Sequence, residues 1–255
     1  IIDLAPSPDF ARDNTLFLLT FGSEHSLWRG LLGAWERIFS GSLPNVDSLD
    51  LVRLPPQYDR SRPVIFLAGS ASGSPAIWKS TDNGQSFTRR PTADPDSGAS
   101  FAINAWAIVD DNTLFIGSFD GTNGRVYQTT NSGFFYAKGT IVGSQSLNSI
   151  VLSPDYGQDK TVLVGNTGGW VYISRDNGAS FEPLPPNATS PPLTDSISVA
   201  FDPRFSSNHT VYAASNTANK GIYRFIVGRS TEWERIDSAL PTGATINQLI
   251  LSPEG

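Results

Sequence analysis

Few residues in this 255-residue sequence have the types and spacing that chemistry needs. The glutamates are Glu24, Glu36, Glu182, Glu232, Glu234 and Glu254. Cleaving a glycosidic bond takes two carboxyl groups, one to protonate the leaving oxygen and one to act as base or nucleophile. Glu24, in FGSEHSLW, sits on a loop beside His25, and Asp120, in FDGTNG, holds a similar loop further on. Asp120 is the candidate partner of Glu24, and spacing does not establish the pair. His25 and His209 are far apart, with no HExxH and no metal-ligand spacing. GSASGSP and GNTGGW share the composition of phosphate loops, but each leads into a strand and not into a helix N-terminus. The DNG triplets lack the ladder of ligands that a calcium loop needs. No catalytic residue, metal or cofactor is therefore assigned.

The elements that must position these residues are repeated. SIVLSPDYGQDKTVLVGNTGGWVYISRDNGASFEPLP, residues 149–185, reads as short apolar runs rich in Val, Ile, Tyr and Phe, each bounded by Gly, Pro, Asn or Asp. That is the pattern of antiparallel strands joined by hairpins. The second strand of the unit recurs as TLFLLTF, VIFLAGS, TLFIGSF, TVLVGNT and TVYAASN. The third strand carries Trp28, Trp78, Tyr127, Tyr172 or Tyr223, spaced 50, 49, 45 and 51 residues apart. The first turn reads SPDFARDNT, SPDYGQDKT or DPRFSSNHT. LLGAWERIF is the best helical stretch, yet it lies where the first unit needs its third-to-fourth-strand turn. The sequence predicts an all-β fold, a β-propeller of four-stranded antiparallel blades. The repeats run over residues 1–43, 44–96, 97–143, 144–192 and 193–243 of one domain, and 244–255 forms an extra first strand.

Two octets, STDNGQSF at 80–87 and SRDNGASF at 174–181, fall between third and fourth strands. Asp82 or Asp176 can fold its carboxylate onto backbone N–H groups. Gly84 or Gly178 supplies a positive φ. Ser80 or Ser174 bonds across the loop mouth, Ser86 or Ser180 follows, and Phe87 or Phe181 packs between sheets. TTNSGFFY, at 129–136, is a weaker copy with Asn131 in the aspartate position and Gly133 in the glycine position.

These octets resemble the Asp-box, or BNR repeat, S-x-D-x-G-x-[ST]-[FW]. The resemblance implies a propeller of the superfamily that includes sialidases, sortilin, xyloglucanases and a photosystem II assembly factor. It implies no single activity, because the box is a structural corner. A sialidase would need three arginines gripping a carboxylate, a Tyr/Glu nucleophile pair and an acidic proton shuttle, and its RIP signature is absent here. Arg29, Lys79 and Arg224 share one repeat position on the third strand and read as solvated cladding.

The net charge of −6, without like-charge runs, points away from nucleic acid, and no apolar stretch is long enough for direct membrane insertion. Cysteine is absent, which excludes disulfide and thiolate chemistry. Methionine is absent even at position 1, so a processed or excised terminus is expected. Ser7 and Ser252 hold the same phase of the repeat. The chain is thus expected to come from a longer array, or to leave one end outside a ring.

The expected function is that of a non-catalytic, extracytoplasmic module, at the cell surface, secreted or periplasmic, that binds a protein or glycan or builds a larger assembly. A glycoside hydrolase and an assembly factor of a membrane complex are the alternatives. The contact face is expected on second-to-third-strand and inter-blade loops, at Glu24, His25, Arg90, Asp120, Asn123, Arg125, Trp170 and Lys220. Two sequons mark Asn187 and Asn208 for N-glycosylation, and Asn187, in a proline-rich loop, is the better site.

Overall fold

The structure is a computed structural model. It describes residues 1–251 except 32, 41, 42, 44, 60, 219, 238, 239 and 247. Five four-stranded antiparallel sheets follow one another along the chain, each in simple sequential order. The first holds β1 (Asp3–Pro6), β2 (Thr15–Phe21), β3 (His25–Leu31) and β4 (Ala34–Ser40), with the one-turn helix α1 (Phe10–Asp13) between its first two strands. The second holds β5 (Val46–Arg53), β6 (Ile65–Ala71), β7 (Ser74–Ser80) and β8 (Thr88–Pro91). The third holds β9 (Ala105–Ile108), β10 (Leu114–Phe119), β11 (Gly124–Thr129) and β12 (Thr140–Ile141). The fourth holds β13 (Leu147–Leu152), α2 (Tyr156–Asp159), β14 (Val162–Asn166), β15 (Val171–Ser174) and β16 (Glu182–Pro183). The fifth holds β17 (Ile197–Phe201), α3 (Phe205–Asn208), β18 (Thr210–Ser215), β19 (Ile222–Ile226) and β20 (Glu234–Arg235).

The second strands and the aromatic third strands lie where the repeat predicts them. LLGAWERIF is not helical: Gly33, at φ 84°, turns the chain and β4 runs on from Ala34. Residues 244–246 and 248–251 carry no strand, and the remainder of the expected extra strand, 247 and 252–255, lies outside the described residues.

The SPDF, SPDY and DPRF turns, which the sequence predicts as plain turns, each wind into one helical turn. One network explains why the spacing to the closing threonine is constant. The Ser7 hydroxyl donates to Asp13 at 2.6 Å, and the Thr15 N–H donates to the same carboxylate at 2.8 Å. Ser153, Asp159 and Thr161 repeat this at 2.5 and 2.8 Å. In the third copy Asn208 takes the Thr210 N–H at 2.9 Å. Each helical turn is stopped by a left-handed residue, Asn14, Lys160 or His209, at φ 49°, 53° and 52°. His209 is therefore a turn residue, its ring edge-on to Phe205 at 5.9 Å.

Two compact units are distinguishable. One comprises 1–103, 108–114 and 129–138, and the other comprises 104–107, 115–128 and 139–255. The first is built on Phe17, Leu19, Leu49, Leu67 and Trp78, with Ile38 and Phe87 packed against them. The second is built on Leu163, Val171, Ile173, Ile197, Val199, Val211 and Phe225. Within each cluster most of these side chains take alternate positions along their strands, while the consecutive residues of β6, β10 and β14 are buried on both faces.

Within each unit, neighbouring sheets are linked by ring contacts or by side chains bonded to backbone. In the first unit, the Tyr58 ring meets Phe17 edge-on at 5.8 Å, and Asp3 of β1 accepts the Val52 N–H of β5 at 2.8 Å. In the second, Asn148 donates to the Ile197 carbonyl at 3.1 Å and the Val199 N–H donates to Ser149 at 3.1 Å.

Candidate functional site

Each sheet has two ends. One end carries the first-to-second-strand turn and the third-to-fourth-strand corner. The other carries the second-to-third-strand loop. The predicted site residues divide between them.

The octets are corners, built as the residue types imply. The Ser80 hydroxyl donates to Asp82 at 2.7 Å and accepts the Gly84 N–H at 2.8 Å. Asp82 in turn accepts the Ser86 N–H at 2.9 Å and the Ser86 hydroxyl at 2.5 Å. Ser174, Asp176, Gly178 and Ser180 reproduce all four bonds at 2.7, 2.9, 2.9 and 2.6 Å. The donated bonds, with the serine 86 or 180 hydroxyl foremost, hold both carboxyls below the usual aspartate range. Gly84 and Gly178 have φ 90° and 81°, and Asn83 and Asn177 before them are also left-handed, at 61° and 63°. The asparagines serve a second purpose that sequence reading missed. Tyr58 donates its hydroxyl to Asn83 at 3.1 Å, and Tyr156 bonds Asn177 in the same way. Phe87 is half-buried against the first core, and Phe181 is half-buried as well.

At the loop end, Glu24 is exposed and paired with Arg37 at 2.8 Å. His25 opens β3, its ring 4.6 Å from that of Phe21. Both line a cleft of about 230 Å³ with Phe21, Val46 and Asp47. Asp120 accepts the N–H groups of Thr122 and Asn123 at 2.9 and 2.7 Å and is ion-paired to Arg125, which also donates to the Gly139 carbonyl at 3.0 Å. Asp120, Asn123 and Arg125 are thus one closed loop lock. The backbone N–H of Asn123, then Arg125 and Thr122, pull the Asp120 carboxyl down to about 2. Glu24 and His25 belong to the first unit, and Asp120 belongs to the second.

Asp120 is expected to stay ionised at pH 3, where an ordinary aspartate near 3.8 is mostly protonated. Because the folded-state value is the lower one, its contribution to stability is present above about 3.8 and is lost as pH falls towards about 2. Carboxyl carbon chemical shifts followed by NMR from pH 6 to 1.5 check this; a midpoint near 3.8 would contradict the lock.

Trp170 is half-buried and stacks on Tyr172 of its own sheet, with centroids 5.9 Å apart and planes at 26°. Its backbone N–H and that of Gly168 are held by Asn166, each at 2.9 Å. Lys220 is exposed, and its carbonyl accepts the Tyr223 hydroxyl at 2.7 Å. Asn187 is exposed on its loop, whereas the Asn208 carbonyl oxygen is spent inside the α3 turn.

Arg90 is the candidate whose position differs most from expectation. It lies on the outer strand β8, opposite Ile77, and not on an inter-blade loop. Its guanidinium covers the Phe134 ring at 3.7 Å from the centroid, beside the corner 129–136. The same cleft, about 460 Å³, receives Lys79. Lys79 differs from Arg29 and Arg224, its repeat equivalents. Those pair with Glu36 at 2.5 Å and Glu234 at 2.7 Å across their own hairpins. The Lys79 ammonium instead donates to the Asp111 carbonyl, to Asn112 at 3.1 Å and to Ser132 at 3.0 Å. Burial lowers its pKa. Lys79 is a tether between β7 and the third-sheet loops, which periodicity alone could not show.

The arrangement of five sequential four-stranded sheets can be compared with solved structures. The Niastella koreensis GH74 enzyme aligns with a TM-score of 0.60 at 19% identity over 91% of this chain and 36% of its own. YCF48 bound to D1 peptide gives 0.59 at 15% identity over 92% of this chain and 66% of its own. TolB from Acinetobacter baumannii gives 0.57 at 18% over 91% and 55%.

The sheets are β-propeller blades.

At these identities the likeness carries the fold alone, and this chain spans little more than a third of the GH74 enzyme. No protein-family model and no curated protein matches the sequence. Among the described residues no group of three or more His, Asp or Glu is placed to hold a metal ion, and no helix is long and apolar enough to cross a membrane.

Proposed function

We propose that these blades form a non-catalytic binding module that recognises a protein partner outside the cytoplasm, with Asp-box corners as its structural frame. The observation that carries this reading is where the charges go. The loop carboxylates suited to acid–base work, Glu24 and Asp120, are each occupied by an arginine of their own blade. A general base must be free to take a proton within hydrogen-bond reach of substrate, and Asp120 is held by three donors. The Arg90–Phe134 pair, by contrast, lies over an open cleft with exposed aromatic surface. Arginine and aromatic side chains of this kind anchor protein interfaces. That a propeller of similar fold has been solved with a bound peptide supports the same reading.

Two measurements test it. A panel of fluorogenic glycosides and xyloglucan oligosaccharides is expected to show no turnover. Turnover lost in both Glu24→Gln and Asp120→Asn would establish the hydrolase reading instead. Benzoylphenylalanine placed at the exposed position 135 is expected to photo-cross-link a protein of defined mass from extracts of the source cells. Adducts with glycan only would overturn the choice of partner.

A further inference from the structure

The third corner departs from the other two in a coordinated way. Asn131 stands where they have Asp82 and Asp176, and Phe134–Phe135 replace Gln85–Ser86 and Ala179–Ser180. The Asn131 oxygen accepts the Phe135 N–H at 2.9 Å and the Thr129 hydroxyl at 3.0 Å, the two bonds that one carboxylate oxygen accepts elsewhere. The bond to the second oxygen has vanished with its donor, because phenylalanine has no hydroxyl. Ser132 and Gly133 keep the left-handed pair, at φ 60° and 85°. The corner has kept its shape and shed its charge.

What changes is the charge facing Arg90. Arg90 Nη1 donates to the neighbouring Arg89 carbonyl at 3.0 Å, Nε is buried without a partner, and no carboxylate among the described residues pairs with it. Asp110 and Asp111 act on Lys79, which is also held by the Asp111 carbonyl, Asn112 and Ser132. Among the described residues no Asp or Glu lines the cleft, in a chain of net charge −6. An aspartate at 131 would put a counterion into it. Phe134, under the arginine, is 61% exposed, and Phe135, next to it in the chain, is 77% exposed. Arg90 itself sits on β8, the last strand of its sheet, along which an extended segment can lie.

We infer that this cleft recognises an acidic segment of a protein partner, seating a carboxylate on Arg90 and an adjacent apolar side chain on Phe134–Phe135. The neutral Asn131 is what leaves that seat open. The inference rests on the protein-binding reading and names the chemistry of the partner.

The test measures binding of fluorescein-labelled poly(Glu,Tyr), poly-Glu and polygalacturonate to the wild-type chain and to Arg90→Ala, Asn131→Asp and Phe134→Ala. Poly(Glu,Tyr) is expected to bind best. Loss of one charge-assisted contact raises Kd about tenfold, so Arg90→Ala is expected to show at least that. Asn131→Asp is expected to match it through internal neutralisation while remaining folded, since one carboxylate oxygen can accept the two bonds that Asn131 accepts. Phe134→Ala is expected to remove the advantage of poly(Glu,Tyr) over poly-Glu. Absent binding, or affinity unchanged by both Arg90→Ala and Asn131→Asp, overturns the inference. If cross-linking at 135 still captures a protein in that case, the protein-binding reading survives without acid recognition. If only polygalacturonate responds to Arg90, both fall and the ligand is an acidic glycan.

Discussion

Gly165→Val is expected to eliminate soluble folded protein, and Gly165→Ala to cost about 3 kcal/mol or more. Gly165 lies in the middle of β14, paired with Ser149 on one side and Val171 on the other. A Cβ at this position would stand 2.2 Å from the Ile197 carbonyl oxygen, at the start of the next blade. The obstacle is backbone, already hydrogen-bonded to Asn148 at 3.1 Å, and backbone in a strand cannot swing aside. Glycine is required here for close approach, since no positive φ is involved. Gly117 plays a milder version of this part, where a Cβ would meet that of Leu147 at 3.1 Å. Gly157 is the control. It lies in α2 with nothing within 4 Å of a built Cβ, so alanine there is expected to be neutral or to stabilise by about 0.5 kcal/mol. Soluble yield and urea midpoints of the variants decide the matter; a Gly165→Ala midpoint equal to wild type would refute the account.

Phe115→Ala is expected to destabilise by about 3–5 kcal/mol, the cost of truncating a buried phenylalanine and leaving a cavity. Its side chain is fully buried in β10 and serves as a socket for the fourth blade. The Tyr156 ring of α2 meets it edge-on at 6.1 Å, and the Gly178 corner presses so close that a Cβ there would stand 2.9 Å from the ring. One truncation therefore loosens a helical turn and a corner together. For a chain of this size the melting temperature is expected to fall by roughly 10 °C. Phe115→Leu, which retains most of the volume, is expected to recover more than half of the loss. Thermal melts of the two variants check both statements. Equal losses for Ala and Leu would mean that ring geometry, not filled volume, sets the stability.

The candidate site was legible in pieces. Asp82 and Asp176 could be placed on backbone N–H groups because serine, aspartate and glycine at fixed offsets have few ways to close a short loop. The left-handed residue after each helical turn could not be named that way, since Asn14, Lys160 and His209 share no side-chain chemistry. The lock of Asp120 by Asn123 and Arg125 is local, and the sequence grouped those residues without showing that they neutralise one another. The odd third corner carried a signal in plain sight: Phe134 and Phe135 stand where its siblings have small or polar residues. That signal gained meaning only with Arg90, an outer-strand residue that nothing local ties to it.

The sequence by itself determined the strands, their antiparallel order and the corners, because these follow from alternation of apolar residues, backbone sterics and hydrogen bonds a few residues long. Only the tertiary structure decided which charges are spent and which remain open. Glu24 and Asp120 meet their arginines inside single blades, where the side chain that closes each pair depends on strand register and loop shape. Arg90, by contrast, meets Phe134 through the packing of an outer strand beside the next blade's corner, over a separation at which the chain carries no local record of the contact.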